Sequence, residues 1–182
     1  MDTILSLKAN VTRDEAVRQF QGRGFAPRLR SLMRGPLRSV AAVYVPFRLF
    51  RVEIRNAGRT QVQWLALDSV QGAFDPYAFD GGIPAHLLHF VHTRNHPQPA
   101  LPAEQGRRLV AEKVRRIVFQ TGFFRVRNLE IEVDPQSFPF YVPYWIGFSG
   151  KRNSAHLPVL DAVRRRKEGP KIRHFFQEWF SQ

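Results

Sequence analysis

The sequence predicts an α+β protein built from two tandem helix-plus-antiparallel-sheet units, related by internal duplication and closed by a C-terminal amphipathic helix. Three observations carry that prediction. Two phrases recur in the same order: Tyr44-Val45-Pro46-Phe47 returns as Tyr141-Val142-Pro143-Tyr144, and Leu67-Asp68-Ser69-Val70 returns as Leu160-Asp161-Ala162-Val163. Their separations are similar, 24 residues from Tyr44 to Asp68 and 20 from Tyr141 to Asp161, and self-similarity fixes architecture ahead of other signals. Helical periodicity gives way to β-branched and aromatic runs in both halves, as an α+β layout requires. Finally, 182 residues at 43% hydrophobic, with 16 Phe, supply enough apolar material for a packed core. The halves divide as 1–80 for the first unit, 81–102 for a Gly/Pro/His connector and 103–182 for the second unit.

The elements follow in order. Leu5 and Leu7 flank Ser6 in a short strand-like alternation. Thr12-Arg13-Asp14-Glu15 reads as a capping box, the Thr12 hydroxyl taking the Glu15 N–H while the Glu15 carboxylate returns to the Thr12 N–H. The helix it starts carries Ala16, Val17 and Phe20 on one face and stops at Gly22-Arg23-Gly24. A second short helix is predicted from Ala26 or Pro27 to Met33. Runs 40–55 and 61–70, parted by Asn56-Ala57-Gly58, read as a β-hairpin. Residues 74–102 connect, with five prolines and four histidines. Leu109, Val110, Val114, Ile117 and Val118 recur at helical spacing, so 103–120 is a helix with Gly122 at its C-terminal cap. Residues 124–133 alternate as a strand with a bulge at Asn128, and 138–148 with 157–163 form a second hairpin around Lys151-Arg152-Asn153. Pro170 opens the last helix, whose stripe is Ile172, Phe175, Phe176, Trp179 and Phe180.

With an acidic helix start at Asp14-Glu15-Ala16 and a strand ending Leu67-Asp68-Ser69-Val70-Gln71-Gly72, the outline resembles the small α+β repeats of PepSY-type and cystatin-like domains. The second copy departs from it at Arg164-Arg165-Arg166. The resemblance implies a fold more than a function.

Proline removes a ladder donor, so the strands carrying Pro46 and Pro143 are expected at sheet edges, or bulged there. The aromatics around them, Tyr44, Phe47, Tyr141, Tyr144 and Trp145, serve either as core or as a platform for a peptide or stacked bases. Asp68 and Asp161 sit at strand ends, where an Asp accepts backbone N–H groups; neither has a partner histidine or nucleophile, and no catalytic residue is assigned. His86, His89, His92 and His96 are the weak metal candidates. On a helix, His92 and His96 would stand at i, i+4, but no Cys or Glu completes a ligand set, and no cofactor is assigned. The chain has no cysteine, which excludes thiolate and disulfide chemistry. Its longest uncharged run, 135–150, holds three prolines and is too short to span a bilayer. The N-terminal residues lack a secretory pattern, so a cytoplasmic protein is expected.

The formal net charge of +13 and a pI near 11.3 mark a surface that attracts polyanions. Two series concentrate it: Arg23, Arg28, Arg30, Arg34 and Arg38, then Arg164, Arg165, Arg166, Lys167, Lys171 and Arg173. Only 5 of the 28 cations are Lys, so an Arg bias from a GC-rich genome is the competing explanation. Three readings follow, in order of preference. The first is a non-enzymatic module that binds a protein partner, with homodimerisation through edge strands as one form of it. The second is non-specific binding of nucleic acid or an anionic membrane surface through the Arg series. The third is a small metal-dependent enzyme built on the connector histidines.

Overall fold

The structure is a computed structural model that describes residues 1–22, 35–122, 127–151 and 154–181. It is mixed α+β. Among the described residues, in chain order, are β1 (Asp2–Leu7), α1 (Arg13–Gln21), β2 (Leu37–Asn56), β3 (Arg59–Asp68), β4 (Tyr77–Phe79), a 3-10 turn (Ala85–Leu87) and β5 (Leu88–Thr93). Then come α2 (Ala103–Gly122), β6 (Glu130–Lys151), β7 (Ser154–His156), β8 (Val159–Asp161), β9 (Arg166–Lys167) and α3 (Pro170–Trp179). The sheet runs β4-β3-β2-β6-β1-β5, with β7 and β8 paired to β6 and β9 paired to β8. No helix among the described residues is long and apolar enough to cross a membrane.

Local signals produced the local elements. The capping box forms as drawn: Thr12 N–H donates to Glu15 Oε2 at 2.8 Å and Glu15 N–H to Thr12 Oγ1 at 3.3 Å. The bonds that the Thr12 N–H and hydroxyl donate to it hold the Glu15 carboxyl below the usual carboxylate range, with Arg165 and Arg18 adding attraction. The β2–β3 hairpin turns on Ala57 and Gly58, both at positive φ (51° and 74°), between the paired Asn56 and Arg59, the two-residue geometry whose twist suits adjacent strands. The predicted helix 26–33 lies outside the described residues.

Several expectations are corrected. The 81–102 connector holds the 3-10 turn and β5, and β4 lies just before it. Strands 124–133 and 138–148 are not separate; β6 runs unbroken through Pro135, Pro139 and Pro143. Asn128 does take a left-handed φ of 53°, just ahead of that strand. The strands bearing Pro46 and Pro143 are internal, β2 lying between β3 and β6, and β6 between β2 and β1.

The chain divides into two compact units. The first comprises Met1–Val45, His89–Pro97 and Val142–Gln182; the second comprises Pro46–Leu88 and Gln98–Tyr141. These do not follow the segments 1–80 and 103–182. α1 lies in the unit that contains Asp161, and α2 in the unit that contains Asp68. The sequence reading joined each helix to the strands that follow it, because elements adjacent in sequence are usually adjacent in space. The PepSY-like outline accordingly draws its helix start from one unit and its strand end from the other.

In the first unit Val11, Ala16, Val40 and Leu160 form a buried cluster with Val17, Phe20, Leu37 and Trp145 against it. The α3 stripe completes this unit's interior: Ile172, Phe175 and Phe176 are buried, with Phe176 6.0 Å from Tyr144 and Phe180 5.2 Å from Phe148 between ring centres. In the second unit Phe50, Val52, Ile54, Leu67, Leu101, Val110, Val114 and Val133 are buried together. Gly106 lets α2 approach closely, since a Cβ there would stand 3.0 Å from the Phe50 ring.

Candidate functional site

The recurring phrases build the same hydrogen-bonded frame in each unit. The β2–β3 ladder ends at Phe47 opposite Asp68, and the β6–β8 ladder ends at Tyr144 opposite Asp161. One step further on, Ser69 N–H donates to Pro46 O at 2.8 Å and Ala162 N–H to Pro143 O at 3.1 Å. Neither proline can return a bond, so the carbonyls of Ser69 and Ala162 turn elsewhere. Ser69 O accepts from Ala100 and Leu101 (2.8 and 2.7 Å), just before α2; Ala162 O accepts from Asn10 (2.8 Å), just before α1. Pro102 and Thr12 then begin the helices, their carbonyls accepting from Gly106 and Ala16 N–H, each at 3.0 Å.

The two aspartates are fully buried and organise turns. Asp68 Oδ1 accepts from Val70, Gln71 and Gly72 at 3.3, 2.9 and 2.9 Å, and Oδ2 from Phe74 at 2.9 Å. Asp161 Oδ1 accepts from Val163 at 2.9 Å and Arg164 at 2.8 Å. Backbone donors occupy these carboxylates as the turn chemistry of Asp predicts.

The aromatic candidates do not form a shared exposed platform. Phe47 and Tyr144 are buried, Phe47 against Phe74, Tyr77 and Phe140, which leaves no ring face for a stacked base. Tyr44 is half-buried, which raises the pKa of its hydroxyl. Tyr141 and Trp145 are half-buried too, the Trp145 indole donating to Val11 O at 2.8 Å.

The histidines lie on the 3-10 turn, on β5 and, for His96, just past its end, so the helical i, i+4 spacing does not form. His86 is exposed in the 3-10 turn and His89 half-buried on β5. His92 Nδ1 meets Thr3 Oγ1, and buried His96 Nε2 meets Asp2 Oδ2, both at 2.9 Å. Among the described residues no three His, Cys, Asp or Glu side chains are gathered to hold a metal.

Charge separates the two units. The first carries 17 cations against 6 anions, a net +11; the second carries 11 against 9, a net +2. Both Arg series fall in the first. Arg23, Arg28, Arg30 and Arg34 lie outside the described residues. Arg38, Arg165, Arg166, Lys167 and Lys171 are exposed, and Arg164 and Arg173 half-buried. Arg166 pairs with Glu168 at 3.4 Å and Lys167 Nζ donates to Gln19 O at 2.7 Å, a cation at the C-terminal end of α1, where the helix dipole favours it.

In the second unit carboxylates meet the cations. Arg51 reaches Glu53 and Asp134 at 3.1 and 3.9 Å; Arg55 reaches Glu53, Glu130 and Glu132 at 2.6, 3.5 and 3.5 Å. Hydrogen bonds from Arg55 and Arg51 hold the Glu53 carboxyl below its usual range. Sequence segments alone missed this partition, because the basic ends 1–45 and 142–182 are brought together only by the fold. No known protein family, characterised protein or solved structure matches the chain.

Proposed function

We propose that the protein is a non-enzymatic polyanion-binding module acting through its first unit, and that the two units are copies of one α+β motif with their helices exchanged. The charge partition carries this reading. Two units with the same frame serve as internal controls for each other. Genome-wide Arg bias acts on both: Arg supplies 13 of 17 cations in the first and 10 of 11 in the second. The more Arg-biased unit is nearly neutral, so the +11 of its neighbour requires another explanation, and a polyanionic ligand provides one. The protein-partner reading loses one of its two supports, since the proline strands are internal, and keeps the other only at the tip of α3, where Phe180 is exposed.

The test is a titration of a fluorescein-labelled single-stranded oligonucleotide across a range of salt. Binding through phosphates gives a line of log K against log salt with slope about −0.7 per phosphate neutralised. Neutralising Arg13, Arg18 and Lys171 together to Gln should flatten that slope by about 2, whereas the same change at Arg59, Arg115 and Arg116 of the second unit should leave it intact. Absence of binding at low salt, or a flat slope for the unaltered protein, overturns the proposal.

A further inference from the structure

We infer that the turn joining β8 to β9 is the phosphodiester-contacting point of the first unit, with Arg165 as its leading side chain; this rests on the polyanion reading above. Four residues beyond each buried aspartate the backbone enters the left-handed region, at Gly72 (φ 67°) in the second unit and at Arg165 (φ 59°) in the first. Glycine suits that position on backbone grounds alone. An arginine there adopts a conformation that L residues enter only at a cost. No contact of its own side chain offsets that cost: the exposed Arg165 side chain has no hydrogen bond or ion pair among the described residues, and only its longer-range charge reaches Glu15. A strained residue whose side chain serves no internal contact is a candidate for an external one.

The turn is also held in place. Asp161 accepts its Val163 and Arg164 N–H groups, Asn10 Nδ2 donates to Val163 O at 2.8 Å, and Lys167 is fixed to the end of α1. A guanidinium on a fixed backbone loses less entropy on binding than one on a free loop. Arg164, Arg165, Arg166 and Lys167 are consecutive, and guanidinium forks match phosphate oxygens two at a time.

A bilayer is the poorer ligand. No apolar side chain stands among residues 164–168, and the exposed rings of the first unit, Phe90 and Phe180, belong to β5 and the end of α3 rather than to this turn, whereas interfacial binding draws on apolar area inserted beside the cations. The ligand chemistry is therefore a nucleic-acid backbone, read without sequence preference.

Arg165→Gly removes the charge and supplies the residue that the backbone favours. Its thermal midpoint should match or exceed that of the unaltered protein. Its affinity for labelled oligouridine at low salt should fall about 3- to 10-fold, and the salt slope should flatten by about 0.7. Arg59→Gln, in the second unit, should change neither. Unchanged affinity and slope in Arg165→Gly, alongside a steep slope in the unaltered protein, sinks the inference and spares the broader reading. A lowered midpoint shows Arg165 to be a structural residue and sinks it too. Loss of binding to phosphatidylserine vesicles, with no oligouridine binding by the unaltered protein, replaces nucleic acid with a membrane and overturns it.

Discussion

Asp68→Asn tests the frame on which both units are built. The buried carboxylate receives four backbone N–H groups, three on Oδ1 and one on Oδ2. In its better orientation the amide oxygen keeps the bonds to Val70, Gln71 and Gly72, and its NH2 faces the Phe74 N–H, donor against donor. The stranded N–H costs about 1–3 kcal/mol. The three surviving bonds drop from charge-assisted to neutral, about half as strong, adding roughly 1–2 kcal/mol in total. Together these come to about 2–5 kcal/mol, against a typical total stability of about 5–15 kcal/mol. The flipped amide is worse, since it turns donors toward three N–H groups. Thermal unfolding followed by tryptophan fluorescence reads the effect directly; at this chain length each kcal/mol lowers the midpoint by about 2–4 °C, so a fall of about 10 °C is expected. Asp80→Asn, at an exposed position, is the control and should move the midpoint by no more than about 1 °C. If the two variants shift equally little, the carboxylate is not what closes this turn, and the account of the frame fails.

Gly72→Ala should destabilise by about 1–3 kcal/mol, because φ is 67° and the new Cβ would stand 2.6 Å from Leu109 Cδ1; an unchanged urea midpoint would contradict it. Glu15 gives a pH signature. Its carboxyl is held below the ordinary carboxylate value in the folded protein, first by the Thr12 N–H. Its stabilising contribution is therefore present above that value and lost as pH falls through the lower folded one. Glu15→Gln should then weaken the protein at neutral pH more than in acid, and a difference between variant and parent that is constant across the acid range would refute the capping-box account.

Much of the architecture was legible because it is local. Thr12 and Glu15 lie three residues apart, the α2 and α3 stripes repeat within a few turns, and Asn56-Ala57-Gly58 sits between two strand-like runs. What was illegible depends on distant partners. Proline reads as an edge marker because it breaks a ladder, and Pro46 and Pro143 do stand just past the ends of their ladders; yet sequence does not reveal that β2 and β6 continue beyond them on other partners. Nor does it say which helix closes which hairpin, since Ser69 O waits for Ala100 while Ala162 O is met by Asn10, far back along the chain. Arg165 was within reach: superimposing the two phrases sets it on Gly72, and a glycine replaced by arginine at a turn asks for a reason.

That hydrogen-bond pattern also explains how two copies could exchange helices and diverge in charge. Each frame consists of a buried aspartate, a proline that cannot donate, a carbonyl freed by that proline, and two N–H donors or one at the threshold of a helix. None of these requires the helix to follow its strands, and Asn10 completes from upstream what Ala100 and Leu101 complete from downstream. A duplication of the kind proposed could therefore swap helices without losing a bond of the frame. Since every one of those bonds is made by backbone or by a buried carboxylate, the frame also leaves the exposed positions unconstrained. The second unit fills them with paired Arg and Glu, and the first with cations that its own anions leave largely uncompensated. Under the polyanion proposal, selection for the ligand would act at those exposed positions, where folding is indifferent to charge.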